Sequence, residues 1–219
     1  MIDTLLQFLF PEQCIACKKP GAVLCEQCFT TIPEAEYIDT EITCQALYNY
    51  SNSIVRQAVW QLKYYRQSRL ARSLIFHQTK KVTAVINHIK QQHPNAEVLL
   101  IPVPQHYTKT FQRGFNQSEL ICKWVATIAQ DTTLLPLLKK TKRTQQQARA
   151  QNKNERQKNM ECSMSIKDTN TALDSDKLYI VVDDVITTGS TITEASRALR
   201  AAGAKHIYGL AIAHGYAVS

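Results

Sequence analysis

Two groups of residues in this 219-residue chain have the types and spacing to do chemistry. The first is Cys14, Cys17, Cys25 and Cys28, two C-x2-C pairs with seven residues between them. Each pair can turn two thiolates toward one point, and two pairs make the tetrahedral sulfur cage that zinc favours, at about 2.3 Å per bond. With four thiolates no position stays open for water, so the expected zinc is structural and not catalytic. The segment holds few sizeable apolar residues, and the metal is expected to supply its folding energy. Disulfides and an iron–sulfur cluster compete for the same spacing, the former disfavoured where thiols stay reduced. Cys44, Cys122 and Cys162 are scattered; Cys122 sits in a helical pattern and Cys162 in an extended one, both expected as buried neutral thiols.

The second group runs from Leu178 to Ile192: an apolar strand, Asp183-Asp184, two apolar residues, then Thr187, Thr188, Gly189, Ser190 and Thr191 opening a helix. A helix start carries about half a positive charge and unpaired N–H donors, which suits a phosphate. Gly189 lets the backbone turn closely around the anion. Two carboxylates at the strand's carboxyl end repel phosphate but accept hydrogen bonds from vicinal hydroxyls. The matching ligand is a sugar phosphate, with ribose hydroxyls on the acids and 5′-phosphate on the loop, at the carboxyl edge of a parallel sheet. The loop lacks the Gly-Lys-Ser/Thr ending of a Walker A motif. The string resembles the phosphoribosyl pyrophosphate (PRPP) signature of type I phosphoribosyltransferases at every position: apolar strand, two acids, two apolar residues, Thr-x-Gly-x-Thr.

Further stretches narrow the resemblance. Pro102-Val103-Pro104 precedes Gln112-Arg113-Gly114-Phe115-Asn116-Gln117-Ser118; Thr144-x-x-Gln147 follows, with Arg156 and Asn159 beyond. With Leu62-Lys63-Tyr64 and the four cysteines, the chain is similar over nearly its whole length to the ComF family of competence-associated phosphoribosyltransferase-like proteins. The Leu that the family places after Thr-x-x-Gln is absent, the chain reading Gln147-Ala148-Arg149. The resemblance implies a type I phosphoribosyltransferase fold over residues 43–219, with a flexible hood at about 139–160, and a zinc module over residues 1–42. It further implies PRPP held with magnesium, ribose on Asp183 and Asp184, and pyrophosphate near the loop after Val98–Val103. Arg113 is then the candidate for the pyrophosphate oxygens, since a guanidinium forks onto phosphate, and Gly114 lets the backbone approach.

Elements of α/β type must position these groups. Thr43–Tyr50 reads as a strand, and Ile54 to Gln92 as helix with a break near Tyr65–Gln67. The apolar run Val98–Val103, ended by Pro104, reads as a buried strand. Asn116–Ala129 reads as a helix, Leu134–Leu138 as a short strand, Tyr179–Val182 as a buried strand, Thr191–Ala202 as a helix and Ile207–Ala213 as a strand. Alternation of this kind predicts a central parallel sheet flanked by helices, with right-handed crossovers. No internal repeat is seen.

Hydrophobic residues make up 44% and charged residues 20% of the chain, which excludes extended disorder, collagen and coiled coil for the whole. No apolar run approaches the roughly 20 residues of a membrane helix. Met1–Thr4 places no basic region ahead of a short apolar stretch, so no signal peptide is read and a cytoplasmic protein without membrane insertion is expected. The net charge of +8 is uneven: residues 1–41 hold seven acids and two bases, residues 42–96 eight bases and no acid, residues 139–158 eight bases and one acid. Such imbalance suggests a polyanion, with a plain solvated face as the alternative. Candidates for contact with single-stranded DNA are Lys63, Arg66, Arg69, Arg72, Lys139, Lys140, Lys142 and Arg143, with Tyr64, Tyr65 and Phe115 nearby to stack on bases. The resemblance adds DNA uptake in natural transformation as the setting and a competence helicase as a partner at the cysteine module. No base-selecting pocket is legible and no catalytic residue is assigned. A salvage phosphoribosyltransferase and a non-catalytic PRPP sensor are the alternative readings.

Overall fold

In a computed structural model the described residues are 12–33, 35, 37–38, 42–65, 67–141, 163–168 and 172–215. Six strands form one sheet in the order β1-β2-β8-β7-β3-β4. These are β1 (Tyr37–Ile38), β2 (Cys44–Asn49), β3 (Val98–Pro102), β4 (Thr132–Leu134), β7 (Leu178–Ile186) and β8 (His206–His214). All neighbours pair parallel except β1, which joins the edge of β2 antiparallel. The short strands β5 (Leu138–Lys140) and β6 (Met164–Ile166) pair antiparallel as a separate hairpin.

The continuous apolar runs form central strands because both faces of the sheet are covered. Val98, Leu100, Leu178, Ile180, Val182, Leu210 and Ile212 enter one core; Leu99, Ile101, Tyr179, Val181, Ile207 and Ala211 enter the other. On the first face lie α2 (Ser53–Tyr64), α3 (Arg69–His77), α4 (Thr79–Gln92) and α6 (Gln117–Ile128). On the second lies α7 (Ser190–Ala201), burying Ile192, Ala195, Ala198 and Leu199 against the sheet beside the β5–β6 hairpin. Cys14, Ile15, Leu24 and Ile32 of the N-terminal segment, which carries α1 (Glu26–Phe29), are buried within the first core.

The topology places a crevice where a ligand is expected. From β3 the chain passes through α5 (Tyr107–Arg113) and α6 outward to β4; from β7 it passes through α7 the other way, to β8. Adjacent parallel strands whose connections leave in opposite directions open a crevice at their carboxyl ends, here between β3 and β7.

Local expectations are corrected in four places. The helical stretch after β2 breaks twice, the second time at Gln78 (φ −105°, ψ 26°), whose side chain is buried. The strand expected over 134–138 is two strands, β4 and β5, parted around Pro136, which has no N–H to give a ladder. Residues 107–113 form the unanticipated α5, capped by the His106 side chain accepting from the Thr108 amide and closed by Gly114 at φ 83°. The acidic pair also lies inside a strand and not beyond its end. Pairing with β3 stops at Val182, whereas pairing with β8 continues to Ile186. Cys162 and most of the hood, 142–162, lie outside the described residues. Among the described residues no helix is long and apolar enough to cross a membrane.

Candidate functional site

The crevice collects three separate sequence stretches. Asp183 and Asp184 enter it from β7, just past the last β3 partner. The Asp184 amide donates to Asp183 Oδ1 (2.8 Å), and Ser118 Oγ, at the start of α6, donates to the same oxygen (3.2 Å). Lys63, in the last turn of α2, places Nζ 2.9 Å from Asp184 Oδ1. Burial first, and the Asp184 charge second, push the Asp183 carboxyl from 3.8 up to about 7, against the pull of the Asp184 amide, Lys63 and Ser118.

A second layer supports this pair. Asn116 caps α6 by accepting from the Ser118 amide, while its Nδ2 donates to the carbonyl of Val103 (3.0 Å). Val103 in turn donates its N–H to the Val182 carbonyl (3.0 Å), so the loop after β3 is held to β7. Gln117 is fully buried; its Oε1 accepts from Arg113 Nη1 (2.9 Å) and from Gln105, and its Nε2 donates to the Leu62 carbonyl (3.5 Å). The Arg113 guanidinium also reaches Gln105 Oε1 (3.3 Å) and lies over the Tyr64 ring at 5.5 Å. Arg113 is thus aimed by the loop after β3 and by the end of α2. Gln105, Gln117 and Ser118 went unassigned in the sequence, although Gln117 and Ser118 sit inside its most specific run. The partners of their side chains stand between 4 and 65 residues away.

The candidate phosphate site is the start of α7. Gly189 adopts φ 76°, a left-handed conformation that favours glycine, and Thr188 Oγ1 accepts the Ser190 N–H (3.4 Å). Thr187, Thr188 and Ser190 are exposed and Thr191 half-buried, while Ile192 anchors the helix in the core. Gly189 supplies no side-chain cap, so apart from the Ser190 N–H the first-turn donors can serve an anion. A cleft of about 380 Å³ adjoins the loop after β3, lined on one side by Pro104, Gln105 and His106 and on the other by Lys139, Lys140 and Lys167.

The pH dependence follows from Asp183. Its folded-state value lies above the unfolded one, so the folded chain holds a proton that the unfolded chain has lost, and stability falls as pH rises from about 4 to about 7. Asp183→Asn keeps both accepted hydrogen bonds without the charge. It is expected to stabilise the ligand-free protein at pH 8 by about 1–3 kcal/mol, and hardly at all at pH 4. Urea unfolding at the two pH values checks this, and an equal effect at both contradicts the shift.

The cysteine cluster fits its metal. The Sγ atoms of Cys14, Cys17, Cys25 and Cys28 lie within 4.8 Å of one another, with Cys17 and Cys25 at 3.6 Å. Bonds of about 2.3 Å in a tetrahedron require sulfurs roughly 3.8 Å apart. Lys18, at φ 64°, closes the first knuckle with its N–H on the Cys14 carbonyl. Burial raises the Cys14 thiol, but hydrogen bonds from the Cys17, Cys25 and Ala16 amides outweigh it and bring the value to about 6. Side-chain hydrogen bonding with Cys17, then burial, pushes Cys28 up to about 12. A thiolate at Cys14 with further protons to lose is a site that binds metal by releasing protons. Among the described residues these four form the one cluster of metal-ligating side chains, and a zinc held there would tie the two knuckles together.

Comparison with known proteins bears on the acidic-pair side of the crevice. A phosphoribosyl transferase domain matches residues 132–215, a span that includes the acidic pair and the candidate phosphate site. Competence protein F of Haemophilus influenzae is 33% identical over 114 residues, 51% of this chain and 49% of that protein. The chain is similar to Competence protein F over that stretch, and to a phosphoribosyl transferase domain over 132–215. The matched span holds β4 to β8 and α7, and so the acidic-pair side of the crevice, while β3 on its other side and the four cysteines lie outside that span. The chain matches about half the length of that curated relative.

Among the described residues the basic candidates do not form one surface. Lys63 is ion-paired into the crevice and Arg69 is paired with Glu12. Arg72 lies over the rings of Phe76 and Trp124. Arg69 and Arg72 line a groove of about 740 Å³ against the cysteine segment. Lys139 and Lys140 are exposed on β5, at the root of the hood and beside the crevice. Arg66, Lys142 and Arg143 lie outside the described residues. Phe115 packs against the core, whereas Tyr64 and Tyr65 are exposed and gather with Trp60, a third ring that sequence pattern did not single out.

Proposed function

We propose that this chain binds PRPP in the crevice and works in the cytoplasm in DNA uptake during natural transformation, contacting single-stranded DNA. The observation that carries the reading is the convergence on one sheet edge of an acidic pair, a glycine-opened helix start and an arginine aimed by two glutamine contacts. Each group suits one part of the ligand. Asp183 and Asp184 accept from ribose hydroxyls. The amides and hydroxyls of residues 187–191 receive the 5′-phosphate. Arg113 forks onto pyrophosphate oxygens. Magnesium bound with PRPP would neutralise pyrophosphate charge, and the chain's own part is to position the sugar and that charge. The relative's name supports the competence setting, and a competence helicase at the cysteine module is the protein partner this setting implies. Lys139, Lys140 and Lys167 beside the crevice favour a polyanion approaching from the hood side.

The test is fluorescence anisotropy of labelled single-stranded DNA, with and without magnesium and PRPP, at 50 and 200 mM salt. About three phosphate contacts predict an affinity loss on the order of tenfold between the two salts. Absence of binding in every condition overturns the DNA part of the reading. Pyrophosphate release with one base from a nucleobase panel would then identify a salvage enzyme.

A further inference from the structure

The last turn of α2 is tied to the crevice by three successive residues. The Leu62 carbonyl accepts from Gln117, Lys63 pairs with Asp184, and Tyr64 lies under Arg113. Outward of these ties sits an aromatic tip: Trp60, Tyr64 and Tyr65 are 49%, 64% and 60% exposed, with Trp60 and Tyr65 centroids 4.7 Å apart. Three exposed rings grouped on one helix end are unusual for a surface that touches nothing. Two of the three ties use groups that PRPP itself requires, Asp184 for ribose and Arg113 for pyrophosphate.

We propose that Lys63 is a built-in competitor for the acidic pair, and that PRPP, by displacing its ammonium, releases the aromatic tip of α2. This rests on reading Asp183 and Asp184 as the ribose site. The Asp184 side chain is only 10% exposed with Lys63 seated on it, and Lys63 itself is 24% exposed. A hydroxyl reaches that carboxylate when the lysine yields. The displaced ammonium regains water, while pyrophosphate draws the guanidinium off the Tyr64 face. One ligand thereby loosens two of the three ties on the same helical turn, leaving the single Gln117 hydrogen bond to the Leu62 carbonyl. Lys63 is a positioning residue in this scheme: it sets how much of the protein is open to ligand, and it couples occupancy of the crevice to the exposure and mobility of the rings. Apparent affinity falls in proportion to the fraction of molecules in which the competitor is absent.

The test measures magnesium–PRPP binding by calorimetry and tryptophan emission on the full chain. Lys63→Met is expected to bind on the order of tenfold more tightly than wild type, and Lys63→Arg, which keeps the cation, to stay near wild type. Saturating PRPP is expected to shift the emission of the wild-type chain, whose two tryptophans are Trp60 and Trp124. The shift should vanish in Trp60→Phe and shrink in Lys63→Met, whose tip is already released. Equal or weaker binding by a folded Lys63→Met chain, or a wild-type emission unmoved at saturation, overturns the inference while leaving PRPP binding intact. Should Lys63→Met not fold, the wild-type emission decides alone. Absence of PRPP binding by the wild type and both variants instead strikes the ribose-site reading, and the competitor with it.

Discussion

Replacing Asp183 and Asp184 together by alanine is expected to weaken PRPP binding by at least about a hundredfold while the metal content of the protein stays the same. On the proposed reading the two carboxylates accept from ribose hydroxyls, and the substitution also leaves Lys63 as an unpaired cation beside the crevice. The cysteine cluster is built on residues 14–28 and shares no hydrogen bond with the pair, so its metal content should not change. Calorimetry with PRPP and metal analysis of the same sample check both halves. An unchanged PRPP affinity would remove the acidic pair from the site. The alanines also eliminate the buried charge at Asp183, so the variant should be no less stable than wild type at pH 8.

Removal of a metal from the four-cysteine cluster is expected to have the second large effect. Two knuckles that would share one metal through four cysteines lose that link when it leaves, keeping the Ile15 N–H on the Val23 carbonyl and the Cys25 N–H on Cys14 Sγ. The damage reaches beyond the knuckles because Cys14, Ile15, Leu24 and Ile32 are buried in the core that α2, α3 and α4 also form. Phe29 stacks on His77 of α3 at 4.1 Å, adding a direct link. Chelation, or Cys25→Ser, is therefore expected to cost about 3–5 kcal/mol and to lower the melting temperature by on the order of 10 °C. Calorimetry with and without a chelator reads this, and an identical melting temperature would mean the cluster is not a structural metal site. The effect on PRPP affinity should be small, since none of the crevice residues draws a hydrogen bond from residues 12–33.

Much of the molecule is legible in one dimension, and for identifiable reasons. The cysteines announce themselves because metal ligation needs fixed local spacing. The acidic pair and Thr187–Thr191 do so because a strand, a turn and a helix start are contiguous in the chain, so the whole candidate site is local. Val98–Val103 and Ile207–Ala213 read as buried strands since burial on both faces demands unbroken apolar runs. The second helix break at Gln78, the strand pair around Pro136 and α5 escaped notice, each being decided by a few residues whose local preference is weak and whose surroundings choose.

What tertiary structure alone decides is partnership. Nothing local in Leu62-Lys63-Tyr64 says that its lysine crosses to Asp184, 121 residues later, and an exposed basic residue was the natural expectation. Nothing in Gln117 says that it is buried and aims Arg113. The choice of which strand lies beside β7, and thus where pairing ends and the carboxylates emerge, is likewise a property of the assembled sheet. Chemistry whose geometry is set by bonds along the chain is written in the sequence. Chemistry set by charges and amides that meet across the fold is settled when burial removes water as their partner, because each buried polar group must then find its complement wherever the chain brings one.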